Sequence, residues 1–275
     1  MKITAIGSCF SGFIKKPIVE RFSNSGFGQV EFLTNTMWQR VDSIVDILSG
    51  NVPDYELIKF YIENGFWERK KPLGIEVNHG IKDSKWFATR ILEENGKAAK
   101  IVNDLPDILL FDSLSDWRHP LYKNRKNPWK CFLGKINFRD RRIQDRFERE
   151  FEFIRLLDLE DLNRCINSVE GYFRERNERL MTFYIHFPAL TSYLEEKWIL
   201  RAHDMVEQVS KLKGENKNFY QIVIPEEKVK PITDMFHPNY SVEIWNHFYD
   251  EVYEYCADFI ISKLRINSEN PNYLS

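Results

Sequence analysis

The chain has no excess of charge of either sign. Its 39 lysines and arginines stand against 41 aspartates and glutamates, a formal net charge of −2, which leaves no case for a general polyanion binder such as a nucleic-acid protein. Cysteine is scarce, and Cys9, Cys131, Cys165 and Cys256 lack the short paired spacing that a zinc site or disulfide framework needs. They read as reduced thiols, and no metal is expected. No run of about 18 apolar residues occurs, which argues against a membrane-spanning helix. The apolar run after Met1-Lys2 is too short for the core of a secretory signal. The expected location is therefore the cytoplasm, with peripheral attachment to a membrane complex left open because it leaves no such mark. Glycine-rich phosphate cradles, internal repeats and low-complexity stretches are also absent.

What is present fits a packed globular protein: 43% hydrophobic residues, 15% of the total aromatic, over 275 residues. Residues 3–6 read as a buried strand, and Gly7-Ser8-Cys9-Phe10 as the turn that opens a helix running to about residue 22. A second strand is expected at 30–33, then a helix through Met37, Val41, Ile44, Val45 and Leu48 that the Gly50-Asn51-Val52-Pro53 break stops. After a helix at 86–100, Pro106-Asp107-Ile108-Leu109-Leu110-Phe111-Asp112 is continuously apolar and then polar, as a strand buried on both faces would be. The charge-dense stretch 139–179 carries Phe147, Phe151, Ile154, Leu157, Leu162, Ile166, Val169 and Phe173 at helical spacing and predicts two amphipathic helices. Strands at 180–187 and 219–224, helices at 194–213 and 240–264, complete the order. This alternation predicts an α/β fold with a mainly parallel central sheet and helices on both faces, one domain over 1–275 with a helical insertion at about 139–179.

Two regions far apart in sequence carry the chemistry. Ser8 follows the first strand, while Asp234 and His237 stand in Asp-Met-Phe-His-Pro before the last helix. A serine hydroxyl is a poor nucleophile until a base takes its proton, and an imidazole serves best when a carboxylate fixes its tautomer. Both ends of a parallel sheet's chain can reach the same carboxyl edge, so the separation is no obstacle. The plainer readings are that Ser8 caps a helix, and that Asp234 and His237 belong to a loop before Pro238 in a first helical turn. Cys9 is a rival nucleophile or a small buried residue. The polar loop after the 106–112 strand, holding Asp112, Ser113, Ser115, Asp116, Arg118 and His119 with Trp117 among them, is where such a sheet places ligands. The His186-Phe187-Pro188 string also ends a strand, with a structural histidine as its plainer reading.

Gly7-Ser8-Cys9-Phe10 after an N-terminal strand, with Asp234-x-x-His237-Pro238 before a C-terminal helix, resembles the SGNH, or GDSL-like, hydrolase superfamily. It looks closest to divergent bacterial branches that begin with Gly-Ser-Cys and accompany polysaccharide genes. The resemblance covers the two ends and the general strand order. It implies a flavodoxin-like three-layer α/β/α sandwich and an esterase or O-acyltransferase, with Ser8 as nucleophile, His237 as general base then acid, and Asp234 orienting the imidazole. It also implies a carbohydrate or glycoconjugate substrate and an association with a polysaccharide-synthesis complex. Hydrolysis needs no cofactor; transfer would draw on acetyl-CoA. The family's Gly-x-Asn-Asp string is missing, and Asp112-Ser113-Leu114-Ser115-Asp116 stands in its place. Asn35, or Ser113 and Ser115 with their adjoining backbone amides, are the expected substitute oxyanion donors, with Arg118 a charge stabiliser and Trp117 and His119 substrate contacts. The competing expectation is a non-catalytic glycan-binding or assembly protein on the same scaffold.

Overall fold

Five apolar runs become one parallel sheet: β1 (Lys2–Ile6), β2 (Glu31–Asn35), β3 (Ile108–Asp112), β4 (Met181–His186) and β5 (Phe219–Val223). The structure is a computed structural model. It describes residues 1–51, 54–64, 69–70, 76–77, 81–133, 138, 140–188, 196–212, 216–229 and 250–268, with the backbone alone for 69–70, 76–77, 81–87 and 118.

Across the sheet the strands run β2-β1-β3-β4-β5. Burial follows from that order. β3 and β4 are buried along their whole length, and β1 beyond Lys2, whereas the edge strands β2 and β5 are half-exposed. The central strands therefore read as continuous apolar runs because helices cover both faces. Ile3 aligns with Ile108 and Ile108 with Met181, which brings the carboxyl ends of β1, β3 and β4 level.

The helices divide into two layers. On one face α2 (Lys15–Ser25) packs against the C-terminal α10 (Asp250–Ser268). On the other, α3 (Val41–Leu48) packs on α8 (Leu159–Arg174), and α8 on α9 (Glu196–Ser210). The protein is thus a three-layer α/β/α sandwich. The other α-helices among the described residues are α1 (Cys9–Phe13), α4 (Tyr55–Asn64), α5 (Ile81–Ala98), α6 (Leu114–Arg118) and α7 (Arg141–Glu150).

Three local departures from the sequence expectation have physical causes. The helix expected from Cys9 to Phe22 is two, α1 and α2, meeting at Ile14. Pro17 has no N–H with which to bond back to the Phe13 carbonyl, so the helical ladder is interrupted there. The helix expected from Met37 begins instead at Val41. Trp38 takes a left-handed φ of 59°, a conformation costing a side chain roughly 1–2 kcal/mol. The turn is held by Met37 N–H on Glu94 Oε2 (2.9 Å), Gln39 N–H on the Gly7 carbonyl (2.9 Å) and Gln39 Nε2 on Asn95 Oδ1 (2.8 Å).

Within 139–179, α7 and α8 are separated by a strand, Phe151–Ile154, rather than a helical turn. It pairs antiparallel with Leu121–Asn124, which also pairs with Lys130–Cys131. Phe151 is buried beneath α7 while Phe153 is exposed. That alternation suits a strand as well as a helix, and the open backbone partner decides it.

Candidate functional site

The strand order reverses direction at β1. From β1 the chain crosses to β2 on one side and later to β3 on the other, which makes the carboxyl ends of β1 and β3 a topological switch point. In open α/β sheets ligands settle in the crevice at such a point. Ser8 ends β1 and Asp112 ends β3, so the candidate site is built around these two.

The two chain segments touch. Gly7 has φ of 157°, and a Cβ there would lie 2.3 Å from Asp112 Oδ2 and 2.5 Å from its Cγ. Only glycine permits the approach. Ser8 N–H donates to Asp112 Oδ2 (2.7 Å), Ser11 N–H donates to the same oxygen (3.0 Å), and Leu114 N–H reaches Oδ1 (3.3 Å). Asp112 is 2% exposed. Burial pushes its carboxyl above the ordinary value, while the Ser8 N–H, the Ser8 hydroxyl and the Ser11 and Leu114 N–H groups pull it back.

Ser8 itself is 0% exposed. Its Oγ accepts from Phe10 N–H (3.1 Å), so the hydroxyl caps the first turn of α1. Ser11 completes the turn by donating its hydroxyl to the Ser8 carbonyl (2.7 Å). Cys9 follows Ser8 directly. Burial, with the Asp112 charge next in weight, raises its thiol to about 11, which leaves it protonated at neutral pH and unsuited to act as a thiolate.

The other sequence-predicted residues fall around this turn. Asn35 ends β2, where its Nδ2 reaches the Ser11 carbonyl at 3.4 Å and its buried Oδ1 has no partner among the described residues. Ser115 is buried and donates its hydroxyl to the Gly7 carbonyl (3.1 Å). Ser113 accepts from Phe187 N–H (2.7 Å), tying the β3 loop to the end of β4. Trp117 is buried, stacks on Phe187 and donates its indole N–H to the Trp198 carbonyl (2.8 Å). His119 lies half-buried with its ring stacked on Phe132, centroids 4.3 Å apart. Arg118 closes α6, its side chain outside the described residues. Asp234 and His237 also lie outside the described residues. Ser8, Asn35, Ser113 and Ser115 are thus brought to one sheet edge, and the stretch expected as a polar loop is largely the short helix α6, which carries Trp117 and is capped by His119.

Sequence reasoning placed two carboxylates in this region without giving either a role. Asp112 is the first, at the polar end of an apolar strand. Asp116 is the second: its Oδ1 accepts Val41 N–H (2.8 Å) and its Oδ2 meets the Tyr184 hydroxyl (3.1 Å), so it caps α3 from α6. Burial, with Asp42 nearby, raises its carboxyl to about 7 against the pull of Val41 N–H, Tyr184 and Arg40. Arg40 is buried beside it, doubly bonded to Asp42 (2.6 and 2.8 Å) and donating to the Arg155 and His119 carbonyls (2.8 and 3.2 Å). At the end of β4, His186 Nε2 meets the Gln221 side-chain amide at 2.7 Å, and burial lowers its imidazole to about 4, so it is neutral at pH 7.

Among the described residues no group of three His, Cys, Asp or Glu side chains is arranged to hold a metal ion, and no helix is long and apolar enough to cross a membrane. The chain matches no family model, and no curated protein matches it.

Proposed function

We propose that this chain is a serine-dependent acyl-ester enzyme, with Ser8 as nucleophile, His237 as base and Asp234 as its orienting carboxylate. One observation carries the reading: Ser8 sits at the carboxyl end of β1, at the switch point of a β2-β1-β3-β4-β5 parallel sheet, on a turn that only glycine at position 7 allows. The Asp-x-x-His-Pro sequence before α10 supplies the remaining two groups. Ser8 would attack an ester carbonyl as His237 takes its proton. His237 would return that proton to the leaving alcohol, and water or a sugar hydroxyl would then release the acyl group. The substrate class is an acylated, most simply acetylated, carbohydrate or glycoconjugate, and the setting a cytoplasmic one. If the reaction is transfer, acetyl-CoA is the donor: Ser8 would attack its thioester carbonyl, the CoA thiol would leave with the proton from His237, and a carbohydrate hydroxyl would accept the acetyl group.

The reading places one demand on the turn. Ser8 N–H, which could have faced an oxyanion, is already bonded to a carboxylate. The oxyanion donors must then come from elsewhere, and Asn35, with an amide on the same edge held by a single 3.4 Å contact among the described residues, is a candidate.

That same bonding favours a second reading, a non-catalytic glycan-binding or assembly protein. The N–H of Ser8, its hydroxyl and the N–H of Ser11 are all satisfied within the fold, so the turn is complete as a structural joint between β1 and β3.

The discriminating experiment is release of acetate from p-nitrophenyl acetate and from an O-acetylated oligosaccharide by wild type, Ser8→Ala and His237→Gln, each checked for folding by circular dichroism. The enzyme reading expects turnover in wild type and a loss of at least about a thousandfold in either variant. Absence of turnover in folded wild type, or its persistence in Ser8→Ala, moves the binding reading ahead.

A further inference from the structure

Away from the switch point, a cleft of about 570 Å³ opens between α4, α7 and the turn after Leu121–Asn124. None of its lining residues belongs to the Ser8 and Asp112 turn. Its floor is the buried pair Phe60 and Phe151, and its walls are almost wholly charged.

The charge on those walls is uneven. Arg146 is committed: Nε pairs with Glu150 at 2.7 Å, and its guanidinium lies 5.0 Å from the Phe60 ring centre. The two cancel in charge and fix each other's position. Against Glu56 and Glu63 there then stand Lys59, Arg125, Lys126 and Arg149, a surplus of two positive charges in a chain whose formal net charge is −2. Lys59, Lys126 and Arg149 make no ion pair among the described residues. Arg125 is positioned by backbone contacts, its N–H on the Glu150 carbonyl (3.0 Å) and Nη2 on the Glu148 carbonyl (3.2 Å). Clustered uncompensated cations in a concave, apolar-floored site repel one another, and an anion relieves that repulsion where the walls focus the field.

We propose that this cleft binds a small anionic ligand presenting two or more spaced oxyanions, as an oligouronate or a phosphorylated saccharide does. Its volume falls in the range of small-molecule sites. Both aromatic rings are buried in the floor and offer no exposed platform for base stacking, which separates this site from a single-stranded nucleic-acid groove. The cations come from three separate elements, so the ligand would bridge α4 and α7 across the turn. The site does not depend on Ser8 chemistry.

Titration calorimetry of the full chain at low salt tests this, with trigalacturonate, inorganic tripolyphosphate and neutral maltotriose as probes. Binding of at least one anionic probe and not of maltotriose is expected. In Lys59→Gln/Arg149→Gln the affinity should drop at least tenfold, with a shallower salt dependence, while Arg164→Gln, an exposed cation on α8 outside the cleft, should leave it unchanged. Preference between the two anionic probes assigns carboxylate or phosphate as the natural group. If neither anionic probe binds wild type, or the double variant binds as well as wild type, the proposal is overturned.

Discussion

Replacing Asp112 tests most sharply how the β1 turn is built. In Asp112→Ala, the N–H groups of Ser8 and Ser11, now bonded at 2.7 and 3.0 Å, lose their acceptor inside a region closed to water. Each orphaned buried donor costs about 1–3 kcal/mol, so the two together should cost roughly 4 kcal/mol. For a chain of this length that is a fall of roughly 7 °C in Tm. Asp112→Asn separates the acceptor from the charge. Its carbonyl oxygen can keep both N–H groups, and only the 3.3 Å contact to Leu114 N–H is turned into a meeting of two donors. A loss of about 1–1.5 kcal/mol is expected, because the lost contact is long and the buried charge is removed with it. Urea unfolding followed by far-ultraviolet circular dichroism at pH 7, with m-values compared, gives both numbers. An Asp112→Ala protein within 1 kcal/mol of wild type would refute the reasoning.

Three more outcomes follow from the same geometry. Gly7→Ala would drive its methyl into Asp112, 2.3 Å from Oδ2, and against the Asp112 carbonyl at 3.0 Å; it should lower stability by at least about 3 kcal/mol in urea unfolding, because backbone as well as side chain must move. Asp116 holds its proton to about pH 7 in the folded chain, whereas the unfolded chain releases it near pH 4. The folded state therefore binds more protons between those values, and this stability is full below pH 4 and lost as pH rises through 7. Asp116→Asn, which mimics the neutral acid toward Val41 N–H and Tyr184, should remove that fall, so its stability relative to wild type should improve by about 2.5 kcal/mol between pH 5 and 8 in paired denaturation curves. Arg40→Met strips a fully buried guanidinium from Asp42 and two carbonyls; a loss of about 3–5 kcal/mol is expected by the same measurement, Lys130 at 3.5 Å being the one cation left beside Asp42 among the described residues.

The sheet was legible in the sequence because its central strands are buried on both faces, and Ile108-Leu109-Leu110-Phe111 cannot serve any exposed element. Helix boundaries were less so where one residue decided them. Met37 fits the helical period of α3, yet the turn beyond it is set by Glu94 and Asn95 from α5, contacts that no local pattern encodes. Phe151 and Ile154 fit helical spacing as well, and the pairing with Leu121–Asn124 overrules it. At the site, Gly7-Ser8 was readable as a turn, but the role of Asp112 depends on the register that sets Ile6 beside Phe111, a pairing of residues more than a hundred positions apart. Ser113 and Ser115 drew attention as hydroxyls on a polar loop; their bonds to Phe187 N–H and the Gly7 carbonyl come from tertiary contacts in the same way.

The central claim is that Ser8 is an activated nucleophile, and intact-mass analysis after exposure to a fluorophosphonate tests it most directly. The account predicts one adduct on wild type, absent from Ser8→Ala and strongly slowed in His237→Gln, with all three proteins folded. A folded wild type that takes up no adduct, or a Ser8→Ala protein labelled as fast as wild type, would contradict it.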